Sequence, residues 1–219
     1  ASLRSSGSSS PAPIEGQAPG LGARMLGSIR YNLANLANFS GRDARQTFWY
    51  YVLFLYLIQM VAGMLVAIPM MVAMFSQMFA GVRAGADPDA VNAMMLEAMS
   101  GPLETTMWLA LGLGAVSLLA LAASFVRRLH DSGLSGWWAW LPGLLYVGYL
   151  VWMPRQIAGL KAGLVQALAM QQGGTPFGMM PGQEAAMLSA YLPLILLAVF
   201  GVRKSHPGPN RFGETPVRF

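Results

Sequence analysis

The sequence predicts an all-α membrane protein: four transmembrane helices with both termini cytoplasmic, plus short amphipathic helices. Three observations carry that expectation. Of the 219 residues 55% are hydrophobic and only 11% charged, whereas a soluble domain carries about a quarter charged residues. So little charge cannot cover a water-facing surface. Mean hydropathy is +0.48, and the apolar residues gather in runs long enough for a ~30 Å hydrocarbon core at ~1.5 Å per residue. The basic residues behind the net charge of +5 flank those runs, a pattern of orientation in a bilayer rather than of a nucleic-acid-binding face. There is no cysteine, which excludes disulfides, thiolate metal sites, iron–sulfur clusters and a cysteine nucleophile.

The elements follow in order. Residues 1–23 are rich in Ser, Gly and Pro and bury too little to offset ordering, so they read as a disordered tail. No apolar h-region of a secretory leader occurs there; an Arg-containing, Ser-rich presequence and a start at Met25 stay open as alternatives. The membrane domain occupies residues 24–219. Leu26, Ile29, Leu33 and Leu36 recur at helical spacing beside Arg24 and Arg30, which suits a helix in the membrane interface or one docked on the bundle. Phe39-Ser40-Gly41-Arg42 turns the chain, with Ser40 as the expected cap of the first span.

That span covers about residues 48–69 and Pro69 ends or kinks it. An outer excursion over 70–106 holds a short amphipathic helix, begun by Asp87-Pro88 and stopped by Ser100-Gly101-Pro102. The second span, 107–126, closes on Arg127-Arg128, cations that complement the carbonyl end of the helix dipole. Gly133 is the expected glycine after that helix and Ser135 the N-cap of the next. A short third span, 137–153, tolerates Pro142 because it falls in the first turns. A second outer excursion, 154–183, carries the stripe Ile157, Leu160, Leu164 and Leu168 and stops at Gly173-Gly174. The fourth span, 185–202, leads to a basic tail over 203–219. Trp49, Trp108, Trp137, Trp138, Trp140 and Trp152 fall near the span ends and read as interfacial anchors.

Orientation follows from charge. Ten basic residues (Arg24, Arg30, Arg42, Arg45, Arg127, Arg128, Arg203, Lys204, Arg211 and Arg218) fall on one side of this topology and three (Arg83, Arg155 and Lys161) on the other. The positive-inside rule places the ten in the cytoplasm.

Topology then brings three distant segments to one face. Arg42, Asp43 and Arg45 meet Arg127, Arg128, His130 and Asp131, with Asn210 and Arg211 from the tail. Guanidinium forks suit paired phosphate oxygens, so this cluster reads as a site for an anion, a phospholipid headgroup or an acidic partner; it reads equally well as a stitch that fixes topology and the helix ends and binds nothing. A general base at His130 needs an orienting carboxylate, and neighbouring helix residues point to different faces, so Asp131 does not supply it. No phosphate loop, nucleophile elbow or zinc-helix motif occurs. The sixteen methionines lie in apolar stripes with no histidine or cysteine beside them and are assigned to packing. Gly63/Ala67, Ala110/Gly114, Ala120/Ser124 and Ala139/Gly143 have the small-residue spacing of close helix contacts. No Asp, Glu, Lys, Arg or His lies within the spans, which argues against ion-coupled transport.

Three motifs then carry a resemblance: Phe39-Ser40-Gly41-Arg42 with Arg45, Phe48 and Trp49; Arg127-Arg128-Leu129-His130-Asp131-Ser132-Gly133 with Ser135-Gly136-Trp137-Trp138; and Asn210-Arg211-Phe212-Gly213 with Pro216. Together they resemble the uncharacterised bacterial inner-membrane family called domain of unknown function 805, over roughly Tyr31 to Pro216. The resemblance implies a compact multi-pass inner-membrane protein and supplies no reaction; the long outer excursions depart from its usual pattern. The resulting expectation is a non-catalytic accessory or scaffold protein of the bacterial inner membrane. Its Arg-rich cluster would hold anionic phospholipid or an acidic partner. Its outer helices would contact another membrane subunit or a second copy, without a cofactor or nucleic acid. The alternative is a small transporter or channel for a neutral or amphipathic solute, lined by Gln59, Ser117, Tyr146 or Tyr149.

Overall fold

The computed structural model describes residues 20–170, 183–216 and 218–219. Among them the chain is all-helical, with one isolated backbone bridge between Asn210 and Gly213. The helices are α1 (Leu21–Ala34), α2 (Arg45–Arg83), α3 (Pro88–Asp131), α4 (Trp140–Met170) and α5 (Gln183–Gly201), with a single 3-10 turn, Gly136–Ala139, before α4. Most of the expected tail, and the Gly173-Gly174 stop, lie outside the described residues; residues 21–23 already belong to α1.

Helix α1 is docked by its polar side. Ser28 and Asn32 are its buried residues; Ser28 Oγ donates to the Arg24 carbonyl (2.8 Å) and Asn32 Nδ2 to the Ser28 carbonyl (3.0 Å). Leu26 and Leu33 face outward with Arg30 between them. A helix that turns leucines away from its own protein fits an interfacial position, where those leucines enter the acyl boundary.

Ser40 does not cap α2. The N-cap is Ala44, in extended conformation and without a side-chain cap. Arg42 and Asp43 are drawn inward just before it, so the helix starts only after they have been placed.

The largest departure concerns the outer excursions. They are not separate short helices. Helix α2 runs 39 residues through Pro69, and α3 runs 44 residues through Pro102, which begins no new element. Helix α4 likewise passes Pro154. A proline removes one hydrogen bond and bends a helix without ending it where neighbouring turns are held by packing. That packing is the antiparallel α2–α3 hairpin. Tyr51 Oη donates to the Ala120 carbonyl (3.1 Å), Gln59 lies by Gly114, and Val91 lies where a Cβ on Gly81 would go. This register sets Pro69 opposite Pro102, so both prolines fall at one height. The helix starts were read correctly at two places: Asp87 accepts from Ala90 N (2.8 Å) with Pro88 at the first turn, and Ser135 accepts from Trp137 N (3.4 Å). Gly133, at φ 79°, ends α3 as expected of a left-handed position.

Among the described residues, two helical stretches are long and apolar enough to cross a membrane, Arg45–Arg83 and Pro102–Asp131; a shorter apolar stretch is Tyr191–Gly201. Only 6% and 22% of the most apolar windows of the first two are buried. The core helix of a soluble protein would be apolar and covered, whereas these are apolar and open, the state of helices solvated by lipid. The apolar core is correspondingly small: Phe48, Phe125, Leu129 and Phe200 at one end of the bundle. Phe125 contacts Phe48 and Phe200 with ring centroids 6.2 Å apart in both pairs. Gly201 completes it, since a Cβ there would meet Trp49 at 2.8 Å and Phe48 at 2.9 Å.

Candidate functional site

Beside that aromatic core lies a knot of buried charge. Arg42, Asp43, Arg127, Arg128 and Asp131 are between 0% and 4% exposed. Each comes from a place where a helix begins or ends. Asp43 precedes α2; Arg128 and Asp131 occupy the last turn of α3, and Arg127 stands just before it. The backbone joins them as well, because Asp43 N donates to the Arg127 carbonyl (3.1 Å).

Arg127 is the centre of one half. Its Nε donates to Asp43 Oδ1 (2.9 Å), its Nη2 to Asn32 Oδ1 (2.7 Å), and its Nη1 to the carbonyls of Asn35 (2.9 Å) and Asn38. Its guanidinium also lies 5.5 Å from the Tyr31 ring centroid. Asp43 is completed by Ser124, whose hydroxyl donates to Oδ2 (2.8 Å). Burial pushes the Asp43 carboxyl above its ordinary value of 3.8, and the Arg127 and Ser124 hydrogen bonds offset part of that rise. Arg127 thereby holds α1, the turn after it and the start of α2 onto the end of α3.

Arg42 and Arg128 form the other half, around Asp131. Arg42 donates to Asp131 Oδ1 from Nη2 (2.9 Å) and Nε (3.3 Å), and Arg128 Nη1 donates to Oδ2. Their remaining contacts are main-chain carbonyls of the C-terminal segment, together with the Ser205 hydroxyl, 3.4 Å from Arg128 Nη1. Arg42 binds those of His206 (2.9 Å), Gly208 (2.7 Å) and Gly213 (3.4 Å); Arg128 binds those of Gly201 (3.0 Å) and Arg203. His206 N returns a bond to the Asp131 carbonyl (2.8 Å). Capturing carbonyls fixes the path of the tail whatever its side chains are.

The tail then folds over His130. Asn210 Nδ2 donates to the His130 carbonyl (2.9 Å), and Asn210 Oδ1 accepts from Phe212 N (2.9 Å). The Phe212 ring stacks on the imidazole at 4.0 Å and 6°, and the Arg211 guanidinium lies 4.6 Å from the centroid of the same ring. His130 Nδ1 lies 3.2 Å from the Gly41 carbonyl. The histidine therefore faces a carbonyl and a ring, while its neighbour Asp131 is taken by two arginines.

Among the described residues no buried side-chain nitrogen or oxygen lacks a partner. Seven of the residues read from the sequence as one cluster do meet: Arg42, Asp43, Arg127, Arg128, His130, Asp131 and Asn210. Arg45 and Arg211 stay on the exposed rim. The tryptophans Trp108, Trp137, Trp138 and Trp140 are exposed, and Trp49 and Trp152 half-buried. Sequence reasoning missed the polar groups that complete the knot, Asn32 and Ser124 above all. Their signals were the four-residue spacing of Ser28 and Asn32 and the placement of Ser124 one turn before Arg127.

A second polar meeting point lies further along the bundle. Gly114 admits the Tyr146 hydroxyl to 2.2 Å from where a Cβ would stand, with Gln59 Nε2 at 4.0 Å. Gly63 and Gly143 by contrast face open space, so of the small-residue pairs Ala110/Gly114 carries a close contact, as does Ala120/Ser124, where Tyr51 meets the Ala120 carbonyl and Asp43 the Ser124 hydroxyl.

The profile of a family described as a protein of unknown function, DUF805, matches residues 36–214. The match takes in the turn before α2, the end of α3 and the tail. No curated protein and no solved structure matches the chain.

Proposed function

The chain belongs to the DUF805 family, and from that premise we propose that it is a non-catalytic, multi-pass protein of the bacterial inner membrane, acting as an accessory or scaffold component. In this reading α2, α3, α4 and α5 each cross the bilayer, with both termini and the charged knot in the cytoplasm. The observation that carries the scaffold reading is the state of the three buried arginines. Their forks are occupied by Asp43, Asp131 and tail carbonyls, so they hold the protein's own segments together. Anionic phospholipid is then met by the exposed rim, Arg45, Arg203, Lys204 and Arg211, each such cation contributing ~1 kcal/mol near an anionic surface. His130 and Asp131 do not form an acid–base pair, because the carboxylate is engaged by Arg42 and Arg128.

Native mass spectrometry with anionic and zwitterionic lipids tests this reading. Retained anionic lipid should fall when Arg45, Arg203, Lys204 and Arg211 are replaced together by Gln, with folding intact. Equal retention by the variant would overturn it. The meeting of Gln59 and Tyr146 at Gly114 favours a second reading, a passage for a neutral or amphipathic solute between α2, α3 and α4. Solute flux into proteoliposomes that is sensitive to Tyr146→Phe would support it, and tight vesicles would remove it.

A further inference from the structure

The hairpin of α2 and α3 extends past the height of Pro69 and Pro102. From Trp49 to Pro69 the helix already rises about 30 Å, the depth of a hydrocarbon core. Residues 70–83 rise about 20 Å more. A proline bend of a few tens of degrees does not lay a continuous helix flat on the leaflet, and the hairpin keeps its register to Gly81 and Val91. On the proposed topology this end stands in water.

Its two outer faces differ. The α3 side exposes Asp89, Asn92 and Glu97 and, among the described residues there, Met94 as a lone large apolar group. The α2 side exposes Leu65, Ile68, Val72, Phe75, Phe79 and Val82, each 44–66% open. Their spacing alternates three and four residues without a break. Lipid can cover the first two. Beyond the bilayer the remaining four form a dry stripe in water, where a second helix is the matching cover, because a 3-4 repeat is the seam of a left-handed helix pair.

We propose that this stripe is the contact between two copies of the chain, paired in parallel through α2. Copies inserted the same way run α2 beside α2, and identical sequences bring their seams into register with no offset. The helix carries no charge from Gln46 to Val82, so nothing in the seam repels its own image. The pairing rests on the membrane topology of the preceding section, and it deepens that reading by naming the subunit that the outer helix contacts.

The cysteine-free chain permits a direct test. Single substitutions Val72→Cys, Phe75→Cys, Phe79→Cys and Val82→Cys, with Ala80→Cys as an exposed control off the seam, are oxidised in native membranes. Disulfide-linked dimers are expected at the four seam positions and not at the control. Adding Phe79→Glu to the Phe75→Cys chain should abolish its dimer, because two buried like charges would face each other. Equal yields at seam and control, no dimer at any seam position, or a dimer unaffected by Phe79→Glu would each overturn the pairing. Seam cysteines shielded from a maleimide yet never cross-linked would also overturn it and assign the face to another protein. Labelling of Ala80→Cys by a membrane-impermeant maleimide from outside reports the topology separately: failure there sinks the topology, while the cross-linking pattern still decides the pairing.

Discussion

Along α2 the rule for what is buried reverses. At its start, Asp43 and Thr47 are sealed from solvent together with Arg127 and Ser124. Further along the same helix, Val61, Met64 and Leu65 stand 52–65% open. The knot end is held by directional bonds between distant segments, and the shafts by contact with lipid and with one another. The difference teaches where specificity lies. Apolar shafts in hydrocarbon have many near-equivalent packings, because lipid tails are as apolar as leucine. A buried arginine admits few, because each donor left unpaired there costs free energy. The knot therefore selects one arrangement of helix ends, and the shafts follow.

The sharpest way to break this contrast is to remove a knot arginine. Arg127→Ala leaves Asp43 buried without its cation and should cost ~3–5 kcal/mol, read as loss of monodisperse protein in mild detergent. Arg127→Lys should rescue little, because one ammonium cannot reach the acceptors that the fork spans on Asp43, Asn32 and the Asn35 carbonyl. An intermediate loss is expected from Asn210→Ala, about 1–2 kcal/mol for the bonds to His130 and Phe212. It should free the tail to protease in inverted vesicles while the helices stay folded. At the shafts, Leu119→Ala removes a side chain 72% open and should change stability by no more than ~0.5 kcal/mol, because lipid refills the space. A shaft substitution as costly as Arg127→Ala would erase the distinction.

The all-helical class, the helix starts at Asp87 and Ser135 and the convergence of the three charged segments were legible in the sequence, because each rests on local chemistry or on the placement of charge. The long hairpin was not. Pro69, Pro102 and Gly101 are breakers by local rule, and only the partner helix, unseen in a linear reading, holds the turns beside them. The inner life of the cluster was hidden for a related reason. Asp131 was within reach of both Arg127 and Arg128 along the helix, but Arg127 turns to Asp43 because Ser124 and Asn32 complete that side. More than half of the acceptors that the three buried arginines use are main-chain carbonyls, which no side-chain pattern reports.

The smallest expected effect is a pH slope. The Asp43 carboxyl is raised above 3.8 by burial, so the folded state holds that proton more tightly than the unfolded chain. Its contribution to stability is fully present below about pH 4 and declines as pH rises through the elevated value. Asp43→Asn should flatten this part of the profile in detergent melts.

Commitment of the arginines to internal partners is measurable as a double-mutant cycle on Arg127 and Asp43. Arg127→Met, Asp43→Asn and the pair together are unfolded reversibly in mixed micelles. A coupling of ~1–3 kcal/mol is expected, with the double variant more stable than Arg127→Met alone. Costs that add to within ~0.5 kcal/mol would contradict it, leaving Arg127 free of Asp43 and available to a ligand.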